Sequence, residues 1–230
     1  MEDKIMPQLS NRVGTFTDSV IRRMTRISDA YGAINLSQGF PDFDPPKEIM
    51  DALAKAAYQG PHQYSVTYGA PNFRQALAKK QGKTINREID PEKEIVVTCG
   101  GTEAMMCAMM TICNPGDKVM VFSPFYENYG ADAILSGAEP IYIPLVPPEY
   151  GFDISLVEEG FKSGAKAIIV CNPSNPCGKV FTREELMQIG ELAVKYDGFV
   201  VTDEVYEHMV YAPNRHVCIC LLYTSPSPRD

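Results

Sequence analysis

Apolar residues recur at helical spacing near the start of the chain, at Val13, Phe16, Val20, Met24 and Ile27. This pattern predicts a helix over 12–31, ended by Gly32. A loop over 35–46 follows, punctuated by Gly39, Pro41, Pro45 and Pro46, and the paired prolines suit the start of a second helix over 47–58. Residues 73–81 read as a third helix. From Glu94 onward the texture changes. Short runs rich in Val and Ile at 95–98, 118–122, 139–144, 167–171 and 199–202 predict strands, and the stretches 103–112, 126–136 and 183–195 between them predict helices. The last of these carries a capping-box signature, with Thr182 as N-cap and Glu185 three residues on. Such alternation implies an α/β fold: a mostly parallel sheet flanked by helices on both faces. Ligands of such sheets sit beyond the carboxyl ends of the strands, so chemistry is sought there.

Composition narrows the function. A chain of 230 residues, 45% hydrophobic and 22% charged, can bury one sizeable core. Its net charge of −8, with no cluster of Lys and Arg, argues against a nucleic-acid partner, because neutralising phosphates takes a basic surface. No apolar run approaches the roughly 20 residues that span a bilayer, and Met1-Glu2-Asp3-Lys4 leads into no signal-like stretch. No membrane partner and a cytoplasmic location are therefore expected. The seven cysteines show neither a CxxC pair nor a repeated spacing, and His62, His208 and His216 are scattered. They read as buried thiols and isolated imidazoles, and no metal site follows from them.

Three predicted strand ends carry residues that a bland loop does not need. The 95–98 run leads through Gly100-Gly101-Thr102-Glu103 into a helix, where exposed N–H groups and the helix dipole suit a phosphate; a plain tight turn has the same look. The 167–171 run leads into Asn172-Pro173-Ser174-Asn175-Pro176-Cys177-Gly178. There the residue before each proline is pushed out of the helical region, which predicts an extended loop presenting the Asn175 amide; Asx-turns at each Asn are the alternative. The 199–202 run ends in Asp203-Glu204-Val205-Tyr206. A carboxylate there can cap a turn, or it can keep a pyridine nitrogen protonated so that the ring accepts electrons, with the Tyr206 hydroxyl at hand for a ring oxygen.

Two further segments complete the pattern: Asn35-Leu36-Ser37-Gln38-Gly39-Phe40-Pro41-Asp42-Phe43, and Tyr64 followed by Gly69 and Arg74. With Gly100-Gly101-Thr102, Ser123-Pro124-Phe125-Tyr126, Asn175-Pro176-Cys177-Gly178 and Asp203-Glu204-Val205-Tyr206, they make residues 12–217 resemble the class I aminotransferases. These are pyridoxal 5'-phosphate (PLP) enzymes of fold type I, and the resemblance is closest to their kynurenine- and methionine-type branch. It implies PLP as cofactor, an α-amino acid and a 2-oxo acid as substrates, and amino-group transfer between them. It also implies roles by position. Gly101 and Thr102 would hold the phosphate, Tyr126 would stack on the ring, Asn175 and Tyr206 would bond its phenolic oxygen, and Asp203 would pair with its nitrogen. Gly39 would lie against the substrate carboxylate, and Tyr64 would reach the phosphate of a neighbouring subunit, which implies a homodimer. Cys177 stands where the family usually has threonine. A carbon–sulfur β-lyase on the same scaffold stays open, because fold alone does not choose among PLP chemistries. A PLP-sensing regulator joined to a DNA-binding module is disfavoured by the lack of a basic helix-turn-helix region before Arg12.

The resemblance further implies a lysine beyond Asp203 that holds the cofactor covalently. Neither Lys179 nor Lys195 stands in the family's Ser-x-Ser-Lys context, so no catalytic residue is assigned in this chain, and it is expected to be an inactive, truncated form. Residues 220–230 can be encoded by a transposase-type sequencing adaptor read through in frame, and are set apart as an adaptor-like tail. The expected organisation is an N-terminal arm and small-domain segment over 1–46, an incomplete PLP-binding large domain over 47–219, and the tail.

Overall fold

A computed structural model describes residues 8–15, 19–39, 41–60, 62–64 and 66–222. Phe16, Phe40 and the tail residues 223–230 lie outside the described residues. The chain divides into two compact units, Met1–Thr67 and Tyr68–Asp230.

The first unit holds helices α1 (Val20–Tyr31) and α2 (Lys47–Tyr58). The expected 12–31 helix is divided: a 3-10 turn occupies Asn11–Thr15, and α1 starts only after Ser19, whose hydroxyl accepts from the Arg22 amide. Gly32 ends α1 in the left-handed region and returns its N–H to carbonyls of the last turn.

The second unit contains α3 (Pro71–Thr84), α4 (Gly101–Ile112), β1 (Lys118–Ser123), α5 (Asn128–Leu135), β2 (Glu139–Pro144), α6 (Ile154–Lys162), β3 (Ala165–Cys171), α7 (Arg183–Lys195) and β4 (Phe199–Asp203). The strands form one sheet in the order β2-β1-β3-β4, and every neighbouring pair is parallel. Period-2 alternation builds two cores on this sheet. Met120 and Phe122 of β1 and Ile168 and Val170 of β3 pack with Val157 and Phe161 of α6 and Leu186 and Ile189 of α7. The intervening Val119, Val121, Ala167, Ile169 and Cys171 pack with Met105 and Met109 of α4 and Tyr129 and Ala133 of α5. Helix α6 comes so close that a Cβ on Gly160 would stand 2.1 Å from the Met120 sulfur. The α7 capping box forms as expected: the Thr182 hydroxyl accepts from the Glu185 amide, and the Glu185 carboxylate accepts from the Thr182 amide.

Two elements differ from the sequence expectation. The 95–98 run is not a strand: Val97 donates to the Tyr68 carbonyl at 3.0 Å, and no ladder forms there among the described residues. Apolar β-branched residues favour extended backbone, but a strand exists only where a neighbour completes its hydrogen bonds. Helix α6 goes unpredicted although Asp153 caps it by accepting from the Ser155 amide. The signal was available, because two parallel strands in one sheet require a crossover of a dozen or more residues between them.

Helix α3 is anchored by Arg74, which is 2% exposed. Its guanidinium donates to the Gly69 carbonyl at 3.1 Å, to the Pro91 carbonyl at 2.5 Å and to Glu92 at 3.1 Å.

On α5, Asp132 is 3% exposed, and its Oδ2 has no hydrogen-bond partner. Burial pushes this carboxyl up to about 6 from 3.8. The folded protein therefore binds a proton that the unfolded chain releases between those values, so the burial penalty of Asp132 is full above pH 6 and fades as pH falls from 6 to 3.8. At neutral pH the penalty is of order 3 kcal/mol. Asp132→Asn is expected to raise the unfolding midpoint at pH 7.5, and the gain should shrink below pH 5. An equal difference at both pH values, measured by urea titration, would contradict this account.

Candidate functional site

At the start of α4, Gly100 adopts φ 87°, where a side chain would be strained. A Cβ built on Gly100 or Gly101 meets nothing within 4 Å, so the helix N-terminus opens onto free space. No side chain hydrogen-bonds as N-cap to this first turn. Backbone N–H groups and the positive end of the helix dipole thus face an opening suited to an anion. Glu103 folds back and accepts from the Cys99 amide, which steadies the turn.

From Thr102 a chain of contacts runs to the end of β4. The Asn128 amide nitrogen donates to the Thr102 hydroxyl at 2.9 Å and to the Tyr126 hydroxyl at 3.3 Å. The Tyr126 ring meets that of Tyr129 edge-on, with centroids 5.7 Å apart. The Tyr129 hydroxyl donates to Asp203 Oδ2 at 2.8 Å, and the Val205 amide donates to Oδ1 at 3.1 Å. Asp203 is the last residue of β4 and pairs in register with Cys171, the last of β3. Burial drives ionisation of Tyr129 strongly upward, helped by Cys171 and Asp203, so its hydroxyl stays protonated. Burial likewise pushes up the Cys171 thiol.

The loop after β3 is fixed by Asn172, which is 1% exposed. Its amide donates to the Val217 carbonyl at 3.0 Å and accepts from the Phe181 amide at 3.0 Å. The loop is not extended as expected but turns at 175–177, closed by Gly178 donating to the Ser174 carbonyl at 2.9 Å. Gly178 has φ 71°, which permits the reversal where proline restraint alone would keep the chain extended. Asn175 and the Tyr206 hydroxyl are 3.5 Å apart. They share a cavity of about 360 Å³ with Val180, Met209, Tyr211 and Asn214. Cys177 contacts the Ser174 hydroxyl at 3.4 Å.

Thr102, Tyr126 and Asp203 are thus joined through Asn128 and Tyr129, with Gly101 beside Thr102, while Asn175 meets Tyr206. Gly39 and Tyr64 are exposed residues of the other unit. Asn128 and Tyr129 escape sequence reasoning, and Asn172 is read there only as a loop residue without its partners Val217 and Phe181. A buried tyrosine looks like core, and only the fold shows that its hydroxyl meets a carboxylate. One histidine meets two carboxylates: His216 lies 3.0 Å from Glu204, and Glu204, Glu207 and His216 bring ligand-type atoms within 4.8 Å of one another. Glu207 is already paired with Lys80 at 2.7 Å, which supplies positive charge to that group.

The parallel sheet matches that of the pyridoxal-phosphate-dependent enzymes of fold type I. The chain belongs to the aminotransferase class I and II family, whose model matches residues 31–226. It is 35% identical over 224 residues to kynurenine–oxoglutarate transaminase 3 of Rattus norvegicus, covering 93% of this chain and 49% of that protein. N-Succinyldiaminopimelate aminotransferase of Mycobacterium tuberculosis superposes with a TM-score of 0.86 at 35% identity, covering 93% of this chain and 56% of its own. YbdL of Escherichia coli, described with a methionine aminotransferase function, superposes at 0.88 with 29% identity, covering 95% and 56%. The chain spans about half the length of the curated relatives it matches. Among the described residues no helix is long and apolar enough to cross a membrane.

Proposed function

We propose that the protein carrying this chain transfers an amino group from an α-amino acid to a 2-oxo acid, with this chain supplying the cradle for PLP. The observation that carries the reading is the Asp203 carboxylate, fixed by two donors at the mouth of the sheet and linked through Tyr129, Tyr126 and Asn128 to Thr102 at the α4 N-terminus. The opening before Gly101 and Thr102 fits the phosphate end of the cofactor, since no Cβ fills it and no side chain caps it. Bound there, PLP would supply an electron-accepting ring that stabilises negative charge at the substrate α-carbon. Asp203 would hold a proton at the ring nitrogen, Tyr126 would lie on the ring face, and Asn175 with Tyr206 would donate to its phenolic oxygen. The roles of Gly39 and Tyr64, and a homodimer with shared sites, rest on the family resemblance.

The lysines that follow β3 and lie on α7 are committed elsewhere. Lys179 pairs with Glu185 at 2.8 Å, and Lys195 pairs with Glu158 at 2.7 Å. Neither is given a part at the cofactor, and transfer by the 230-residue chain alone is not expected.

The test supplies the full-length enzyme with a 15N-labelled α-amino acid and an unlabelled 2-oxo acid. Label is expected in a new amino acid. Release of the label as ammonia together with pyruvate would instead assign an elimination chemistry.

A further inference from the structure

Tyr129 is a core residue by burial, at 3% exposed, but its hydroxyl is placed for another purpose. It reaches from α5 to Asp203 Oδ2 at 2.8 Å and lies against the Cys171 thiol on β3. The other carboxylate oxygen already accepts from the Val205 amide at 3.1 Å. We propose that Tyr129 is a positioning residue for Asp203, a donor that keeps the negative charge on the carboxylate and thereby the proton on the cofactor ring nitrogen. This rests on the PLP reading given above.

The physical basis is the competition for one proton between a carboxylate and a pyridine nitrogen. A donor directed at the carboxylate stabilises its charged form and lowers its appetite for that proton. Without the donor the pair relaxes towards a neutral acid beside a neutral ring, and the ring withdraws electrons less well. A phenol suits the task because it must never become an acceptor here. Burial and the two neighbours drive its ionisation upward, so it remains O–H throughout the working pH range. The carboxylate has lone pairs enough for both donors and the ring nitrogen together. The Tyr126 ring, edge-on to Tyr129, restricts where the phenol can move, which ties the proposed stacking residue to the proposed proton holder.

The test uses the full-length enzyme loaded with PLP carrying 15N at the ring nitrogen, and follows that nucleus by NMR alongside kcat and KM. In the native enzyme the signal is expected in the pyridinium range. In Tyr129→Phe, which keeps the ring and its packing, the signal should move towards unprotonated pyridine. Then kcat should fall about ten- to a hundredfold, the size of one hydrogen bond to a charged group, with KM little changed. Replacing Tyr129 by fluorotyrosine, a stronger donor of nearly the same shape, should hold the signal in the pyridinium range and retain kcat. A merely structural role would leave the nitrogen signal where it was in all three proteins. An unshifted pyridinium signal in Tyr129→Phe with kcat within about twofold of native would overturn the inference. Failure of the native enzyme to bind PLP would overturn the proposed function, and this inference with it.

Discussion

Asp203→Asn in the full-length enzyme is expected to lower amino-group transfer on the order of 10³-fold, the scale for losing a preorganised electrostatic partner. The substitution is nearly isosteric: the amide oxygen can still accept from the Val205 amide, and the amide nitrogen can donate to the Tyr129 hydroxyl oxygen in place of the bond it now receives. What is lost is the charge that would keep a ring nitrogen protonated. PLP should still bind, because the proposed phosphate contacts at Gly101 and Thr102 lie at the other end of the site, so absorbance titration of the cofactor should show an affinity changed far less than turnover. Near-normal kcat in the variant would remove Asp203 from its proposed role, whereas loss of PLP with loss of fold would mark it as structural.

Arg74→Ala is expected to cost about 2–4 kcal/mol of stability. The guanidinium is 2% exposed and joins three points of the chain through the carbonyls of Gly69 and Pro91 and the carboxylate of Glu92. Glu92 is largely exposed, so solvent screens that ion pair and its share is small. The loss comes from the carbonyls left without a donor and from the packing of the side-chain stem. Arg74→Lys should recover only part of it, because one ammonium cannot address three directions with the fixed fork of a guanidinium. Urea unfolding midpoints of the three proteins check this, and a midpoint for Arg74→Ala within error of native would refute it. The segment of Tyr64, Gly69 and Arg74 reads in the sequence as a signature, and for Arg74 the structure gives that signature a mechanical content.

Much of the fold is legible because it rests on local chemistry. The runs at 118–122 and 167–171 are strands because they are buried between helices, the run at 139–144 pairs along β1 as an edge strand that buries Ile143, and Thr182 with Glu185 announces α7. The run at 95–98 has the same composition without a strand beside it, and composition does not report neighbours. The candidate site divides in the same way. Gly101, Asn175, Asp203 and Tyr206 stand out because each follows or ends an apolar run with a residue type that such a run does not need. Asn128, Tyr129 and Asn172 act through partners distant in sequence, such as Tyr129 with Asp203 and Asn172 with Val217. No local pattern marks Asn128 or Tyr129, and the Asn-Pro step marks Asn172 only as a loop residue until the sheet has formed.

The alternation of the two cores along β1 and β3 bears on how such a protein can diverge. Inserting one residue just ahead of Ala167 in β3 would turn Ile168 and Val170 towards α4 and α5, and Ala167 and Ile169 towards α6 and α7. Both layers would be mispacked by a single event, so drift in length is barred from the strands and tolerated only in the loops at their ends. Those loops carry the proposed ligand contacts. Lineages descending from this scaffold are free to experiment with substrates through the segments that can change size, while the sheet that aims them stays of fixed length.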